Sequence, residues 1–191
     1  MDDSSPLPVC SVLLLAGGRG QRMGGADKGL LSWRGKPLIS WLSELVRPLT
    51  DDLLISCNRN AEQYAIYADG LVSDDEQDFP GPFAGIRAGM RSARHSHLMV
   101  LPCDAPQVDR ALLEQLLGQQ GARPVVVAQG EFLEPLFALL PCAELGSLER
   151  VWQAGERSPQ RWLRQLNPLV IQCAEGDPRL ANFNTPERLL T

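Results

Sequence analysis

An apolar run, Val9 to Ala16 (VCSVLLLA), stops abruptly at Gly17-Gly18 and opens into a loop carrying Arg19, Arg22 and Lys28. Further glycines stand at 20, 24, 25 and 29, and the single acid in the stretch is Asp27. Short, uncharged and bounded by glycine, the run reads as a buried parallel strand. Glycines at the end of such a strand let backbone N–H groups surround an anion, since no Cβ obstructs the approach. Cations in the same loop point to a phosphate chain as the guest.

Two commoner phosphate loops do not fit. A P-loop requires Gly-Lys-Ser/Thr, and the Gly35-Lys36 pair is followed by Pro37. A dinucleotide fingerprint requires Gly-x-Gly-x-x-Gly, whereas the order here is Gly18-x-Gly20-x-x-x-Gly24. The acid available for a ribose contact is Glu44, expected within a helix.

A net charge of −5 argues against a general nucleic-acid binder, so the basic loop is a local feature. No apolar run approaches the roughly 20 residues of a membrane span. MDDSSP lacks the basic start of a signal peptide, so residues 1–8 read as a flexible tail ahead of one domain over 9–191. The five cysteines are scattered, without C-x-x-C spacing, which points to a reducing cytoplasm; Cys10, Cys57 and Cys173 read as core. The two histidines, His95 and His97, make neither a zinc site nor a triad.

Along the chain, strand, loop and helix alternate as in an α/β domain. A helix is expected from Pro37 to about Val46, and a strand over Leu53–Cys57 ending in Asn58-Arg59-Asn60. A helix over Ala61–Tyr67 leads to a short strand at Leu71–Ser73 and an acidic loop with Asp74, Asp75, Glu76 and Asp78. The helix around Phe83–Arg94 carries small residues at Ala84, Gly85, Ala88 and Gly89, a sign of close packing on a sheet.

The strand His97–Leu101 ends in Pro102-Cys103-Asp104-Ala105-Pro106. An aspartate stiffened by two prolines at a strand's carboxyl end is either a metal ligand or a turn or cap residue. Asp109 reads as the cap of a helix reaching Leu117. Strands follow at Pro124–Ala128 and Phe132–Leu140, with Pro135 implying an edge or a bulge in the latter. A helical stretch is expected from Pro141 to near Ala154-Gly155 and another after Arg157-Ser158-Pro159 through Leu166, before a last strand at Leu169–Cys173. A terminal helix is expected with Thr185 as cap and Pro186 in its first turn.

The loop Leu15-Ala16-Gly17-Gly18, Arg22-Met23-Gly24, Asp27-Lys28 resembles the signature of the nucleotidyltransferase superfamily. With NRN at 58–60, DFPGPFAG at 78–85, PCDAP at 102–106, QAGER at 153–157 and NFNTPE at 182–187, the chain is similar to the molybdenum cofactor guanylyltransferases of the MobA type. The resemblance implies a Rossmann-like, three-layer α/β fold, a mostly parallel sheet flanked by helices, of the nucleotide-diphospho-sugar-transferase type. It implies transfer of GMP from GTP to the terminal phosphate of molybdopterin or Mo-molybdopterin, with Mg²⁺ and release of pyrophosphate. Molybdoenzyme apoproteins or their chaperones would receive the product.

By the same resemblance Leu15, Ala16, Gly17 and Gly18 would line the nucleotide site, with Asn58 and Asp74 beside it. Lys28 would contact the phosphates and Asp104 would hold Mg²⁺. Asn182 and Asn184 would close the cofactor side of the cleft. Where the family commonly reads Asn-x-Asn-Arg, this chain has Ser56-Cys57-Asn58-Arg59, so Ser56 offers a hydroxyl in place of a paired amide contact. Gly17 favours GTP over the CTP of sister enzymes, which tend to read Leu-Ala-Ala-Gly. A sugar-phosphate nucleotidyltransferase and a non-catalytic cofactor-binding adaptor are the rival readings.

The chemistry asks for these residue types. A phosphate monoester, with a second pKa of about 6, is already an oxyanion at neutral pH and needs no general base. The obstacle is charge repulsion, which Arg19, Arg22 and Lys28 would relieve by clamping the phosphates and the leaving group. Arg19 reads equally as a surface arginine. The basic segment Arg157–Arg164 reads either as a pterin contact or as a solvated helix face.

Overall fold

The computed structural model describes residues 9–16, 27–73, 81–183 and 189. Residues 1–8, 17–26, 74–80, 184–188 and 190–191, among them the expected flexible tail, the glycine-rich stretch, the acidic stretch and the Thr185 cap, lie outside them.

β1 (Ser11–Leu15) is buried throughout. Its alternate side chains serve opposite faces: Val12 and Leu14 join one core, Leu13 and Leu15 the other. This two-sided burial is why the run is continuously apolar. A small hairpin follows, β2 (Ser32–Trp33) and β3 (Lys36–Pro37), turning through Arg34 (φ 48°) and Gly35 (φ 81°). Positive φ at both turn residues matches the twist of a tight hairpin. Pro37 therefore ends a strand and precedes α1 (Leu38–Val46), standing just ahead of the first helical turn in which it was expected.

Next come β4 (Leu53–Ser56), α2 (Ala61–Tyr64), β5 (Gly70–Val72), α3 (Pro82–Ser92) and β6 (His97–Pro102). α4 (Arg110–Gly118) is capped by Asp109, whose carboxylate accepts the Leu112 N–H at 2.9 Å, as expected from sequence. The chain finishes with β7 (Val125–Gln129), β8 (Phe132–Pro141), α5 (Leu145–Gln153), α6 (Pro159–Gln165) and β9 (Leu169–Cys173).

The seven-stranded sheet has the order β5-β4-β1-β6-β8-β7-β9. β8 runs antiparallel to both its neighbours; the other pairings are parallel. β8 is thus internal, which corrects the expectation of an edge strand at Pro135. The expected bulge is present: Val126 pairs with Ala138 but Val127 with Glu134, so Pro135, lacking an N–H, falls where the register jumps.

Side chains of α1, α2 and α4 build one core cluster with the sheet; those of α3, α5 and α6 build the other. The small residues of α3 do bring it close to the sheet. A Cβ at Gly89 would stand 2.6 Å from Leu13 Cδ2, and one at Gly85 2.7 Å from Leu15 Cδ2. From β1 the chain winds outward through β4 to β5, then returns to the other flank of β1 with β6. This reversal creates a crevice at the carboxyl ends of β1, β4 and β6, the place where open α/β sheets bind ligands. No helix among the described residues is long and apolar enough to cross a membrane.

Candidate nucleotide site

Backbone hydrogen bonds lock the three strand ends together. The Ala16 N–H donates to Ser56 O at 2.9 Å, and the Cys103 N–H donates to Leu15 O at 3.0 Å. Past these bonds, the chain leaving β1 enters the glycine loop and the chain leaving β6 turns at Asp104. The loop re-enters the described structure at Asp27 and forms a 3-10 turn over Lys28–Leu30. There the ammonium of Lys28 meets Asp104, 3.3 Å from its Oδ2. The Asp104 carboxylate is 11% exposed and Lys28 is 30% exposed, so the pair sits in the mouth of the crevice rather than on the open surface. Asp104 caps no helix; that role belongs to Asp109.

The segment ending in Phe183 is tied to the same turn. The Phe183 N–H donates to Asp104 O at 2.7 Å, which sets exposed Asn182 beside the same turn. Phe183 anchors the segment, stacked edge-on against Trp33 at 5.2 Å in a small aromatic cluster with Leu38.

Leu15, Ala16, Ser56 and Asn58 thus stand at or just past the carboxyl ends of β1 and β4, while Lys28 and Asn182 lie beside Asp104 at the turn after β6. The Leu15 side chain packs beneath α3, which leaves its backbone at the strand end. Ser56 is buried, and its Oγ lies 2.7 Å from where a Gly85 Cβ would stand, so the hydroxyl is directed at α3. Asn58, two residues on, is exposed. Gly17, Gly18, Arg19, Arg22, Asp74 and Asn184 lie outside the described residues.

The basic segment is largely committed to structure. Arg157 stacks 3.9 Å from the Trp152 ring and donates to Trp152 O at 2.8 Å. Arg161 pairs with Glu156 at 2.8 Å and, with the Ser158 N–H, pulls that carboxyl down to about 2. On the same helix Trp162 is buried while Arg161 is exposed.

Sequence reasoning quoted Asp27 and Asn60 within motifs but gave neither a role, and it did not single out Tyr64. The Asp27 carboxylate accepts hydrogen bonds from the Tyr64 hydroxyl and, at 3.0 Å, from Asn60 Nδ2, with Arg59 Nε 3.6 Å away. The signal for Asp27 is that it is the single acid in a basic, glycine-rich stretch.

No group of three or more His, Cys, Asp or Glu side chains converges among the described residues. Among the described residues the donor facing Lys28 there is the hard carboxylate of Asp104. That fits Mg²⁺, which usually binds one or two carboxylates together with water and substrate phosphates, and fits zinc poorly.

Residues 12–169 match the MobA-like NTP transferase domain, and the fold and its crevice are those of a nucleotidyltransferase. A molybdenum cofactor guanylyltransferase from Ectopseudomonas mendocina (strain ymp) is 68% identical over 180 residues, covering 94% of this chain and 90% of that protein. One from Pseudomonas aeruginosa (strain LESB58) is 62% identical over 192 residues, covering 99% and 96%. Among solved structures, molybdopterin-guanine dinucleotide biosynthesis protein A from Archaeoglobus fulgidus superposes with a TM-score of 0.76 at 26% identity, covering 94% of this chain and 95% of that one. The chain belongs to the MobA-like NTP transferase family and, within it, to the molybdenum cofactor guanylyltransferases.

Proposed function

We propose that this chain transfers GMP from GTP to the terminal phosphate of molybdopterin or Mo-molybdopterin, releasing pyrophosphate. The observation that carries the reading is the pairing of Lys28 with Asp104 across the switch-point crevice at 3.3 Å. It brings to one spot a cation that would bind phosphate and a hard oxygen that would bind a metal ion. The names of the close relatives supply the nucleotide and the acceptor.

In this reaction an acceptor phosphate oxygen attacks the α-phosphorus of GTP. A new P–O bond forms, the bond from the α-phosphorus to the α–β bridging oxygen breaks, and its electron pair leaves on that oxygen with pyrophosphate. The attacking oxygen is already ionised, its second pKa being about 6, so no side chain has to remove a proton. Lys28, with Arg22 and Arg19 from the glycine loop, would hold the β- and γ-phosphates and meet the charge that grows on the leaving group. Asp104 is the residue that would hold Mg²⁺. The bound ion would supply charge neutralisation and alignment of the phosphate oxygens. Backbone at Leu15, Ala16, Gly17 and Gly18 would line the nucleotide, with Ser56, Asn58 and Asp74 near its base and Asn182 and Asn184 on the acceptor side. The scattered free thiols suit a cytoplasmic setting.

Two measurements test this. A thermal shift with Mg²⁺ and GTP, CTP, ATP or UTP in turn should be selective for GTP; a ligand at about 100 times its Kd adds roughly 2.7 kcal/mol. Pyrophosphate release should then require molybdopterin. A CTP-selective shift moves the chain to the sister activity, and binding without pyrophosphate release makes it an adaptor.

A further inference from the structure

Resting on that reading of Lys28, we propose that Asp27 and Tyr64 are positioning residues. Together they fix the backbone on either side of Lys28 so that its ammonium is delivered to the Asp104 side of the crevice. Neither touches the reacting atoms.

The grip is visible on both sides of Lys28. Ahead of it, the Asp27 backbone is extended (φ −76°, ψ 115°) and its side chain is turned inward, 6% exposed. There the carboxylate takes the Tyr64 hydroxyl on one oxygen and the Asn60 amide on the other, with Arg59 alongside. Behind it, Gly29 lies directly on the tyrosine: a Cβ at that position would stand 2.5 Å from Tyr64 Oη and 3.1 Å from its ring. One buried phenol therefore locates both neighbours of the lysine, while the lysine itself reaches the other way, to Asp104.

The partners come from a single segment. Arg59, Asn60 and Tyr64 follow β4, and Asn60 takes a left-handed conformation (φ 54°) that starts α2. Its carbonyl accepts the Tyr64 N–H at 3.2 Å, which sets the helix start and the tyrosine in one unit. Burial of Tyr64, reinforced by nearby Cys103 and Asp27, pushes the phenol well above its ordinary range, so the hydroxyl remains a donor throughout the working pH range. A buried carboxylate is costly unless its oxygens are satisfied. Here they are satisfied at the residue adjoining the proposed phosphate-binding lysine, which a purely space-filling contact would not require.

Positioning differs from stability in how it combines with loss of the lysine. The experiment measures pyrophosphate release by the full chain with GTP, Mg²⁺ and molybdopterin for Lys28→Ala, Tyr64→Phe and the double variant. Tyr64→Phe keeps the ring and removes one hydroxyl; it should lower kcat by about 10- to 100-fold, the scale of an ångström-sized misplacement, with little change in KM for GTP. Added to Lys28→Ala it should cost nothing more, because there is no longer an ammonium to place. Asp27→Asn, which still accepts from Tyr64, should retain far more activity than Asp27→Ala.

Losses that multiply in the double variant, or wild-type kcat in Tyr64→Phe, overturn the proposal. If Tyr64→Phe does not fold, the same cycle with Asp27→Ala and Lys28→Ala decides it. Should Lys28→Ala alone leave the rate unchanged, the reading of Lys28 fails first and this inference falls with it, a result distinct from multiplying losses.

Discussion

The backbone N–H of Phe183 donates to the carbonyl of Asp104 at 2.7 Å, so the segment ending in Phe183 is tied to the residue whose side chain faces Lys28. The tie is held by packing. Phe183 is buried against Trp33, at 5.2 Å and 63° between ring planes, in a cluster apart from the two large cores. Phe183→Ala should cost about 3 kcal/mol, the lower end for a buried phenylalanine, because the segment can come away locally. Urea denaturation measures that cost. KM for molybdopterin should rise more than KM for GTP, because Asn182 loses its anchorage.

Asp104→Asn should lower the rate of pyrophosphate release by about 10²–10³, the scale of one lost electrostatic contact in a transition state, with the circular dichroism spectrum unchanged. Lys28→Ala should lose a similar amount. Their Mg²⁺ dependence should separate them: half-maximal activity moves to higher Mg²⁺ for Asp104→Asn and stays in place for Lys28→Ala. If both variants keep wild-type dependence, Asp104 is not the metal ligand.

The strand ends that frame the site were legible because local chemistry dictated them: a two-sided apolar strand ending in glycine, a proline-flanked aspartate, a capped helix at Asp109. What could not be read locally depends on distant partners. The orientation of β8 is one case, since alternation along Phe132–Pro141 is the same in parallel and antiparallel pairing. The role of Asp27 is another: its partner Tyr64 lies 37 residues on, and nothing in the spacing announces the contact. Ser56 is a third. Strand alternation sends it, with Leu54, toward α3, a consequence of period two that the family comparison of base-reading residues does not convey. The Arg34-Gly35 turn went unread because it lacks the usual Asn-Gly or Asp-Gly signal.

Acid should weaken the fold from the edge of the sheet opposite the site. Burial raises the Asp52 carboxyl, but the Ser11 hydroxyl at 2.5 Å and the Arg94 backbone and Nε at 2.8 and 3.0 Å outweigh it and hold the group below the usual carboxylate range. An unfolded aspartate titrates near 3.9. The stabilisation is therefore fully present above about pH 5 and is lost as pH falls through the depressed folded value. Urea midpoints should be level from pH 7 to 5 and fall steeply toward pH 3. Ser11→Ala should cost about 1–2 kcal/mol at neutral pH and flatten the acid limb; an unchanged limb would mean that Asp52 does not drive it.

Two glycines of α3 separate fold from function on one helix. A Cβ at Gly89 would meet fully buried Leu13 at 2.6 Å, deep in the core, whereas one at Gly85 would meet Leu15 and Ser56 at 2.7 Å, at the strand ends that frame the crevice. Overpacking costs about 1–3 kcal/mol, offset by about 1 kcal/mol from the better helix propensity of alanine. Gly89→Ala and Gly85→Ala should thus lose similar, modest stability in urea. Their activities should diverge. Gly89→Ala should release pyrophosphate at close to the wild-type rate, while Gly85→Ala should raise KM for GTP severalfold, because Leu15 and Ser56 must move at the mouth where the nucleotide would bind. Equal KM values in the two variants would mean that the ends of β1 and β4 do not form the nucleotide's floor.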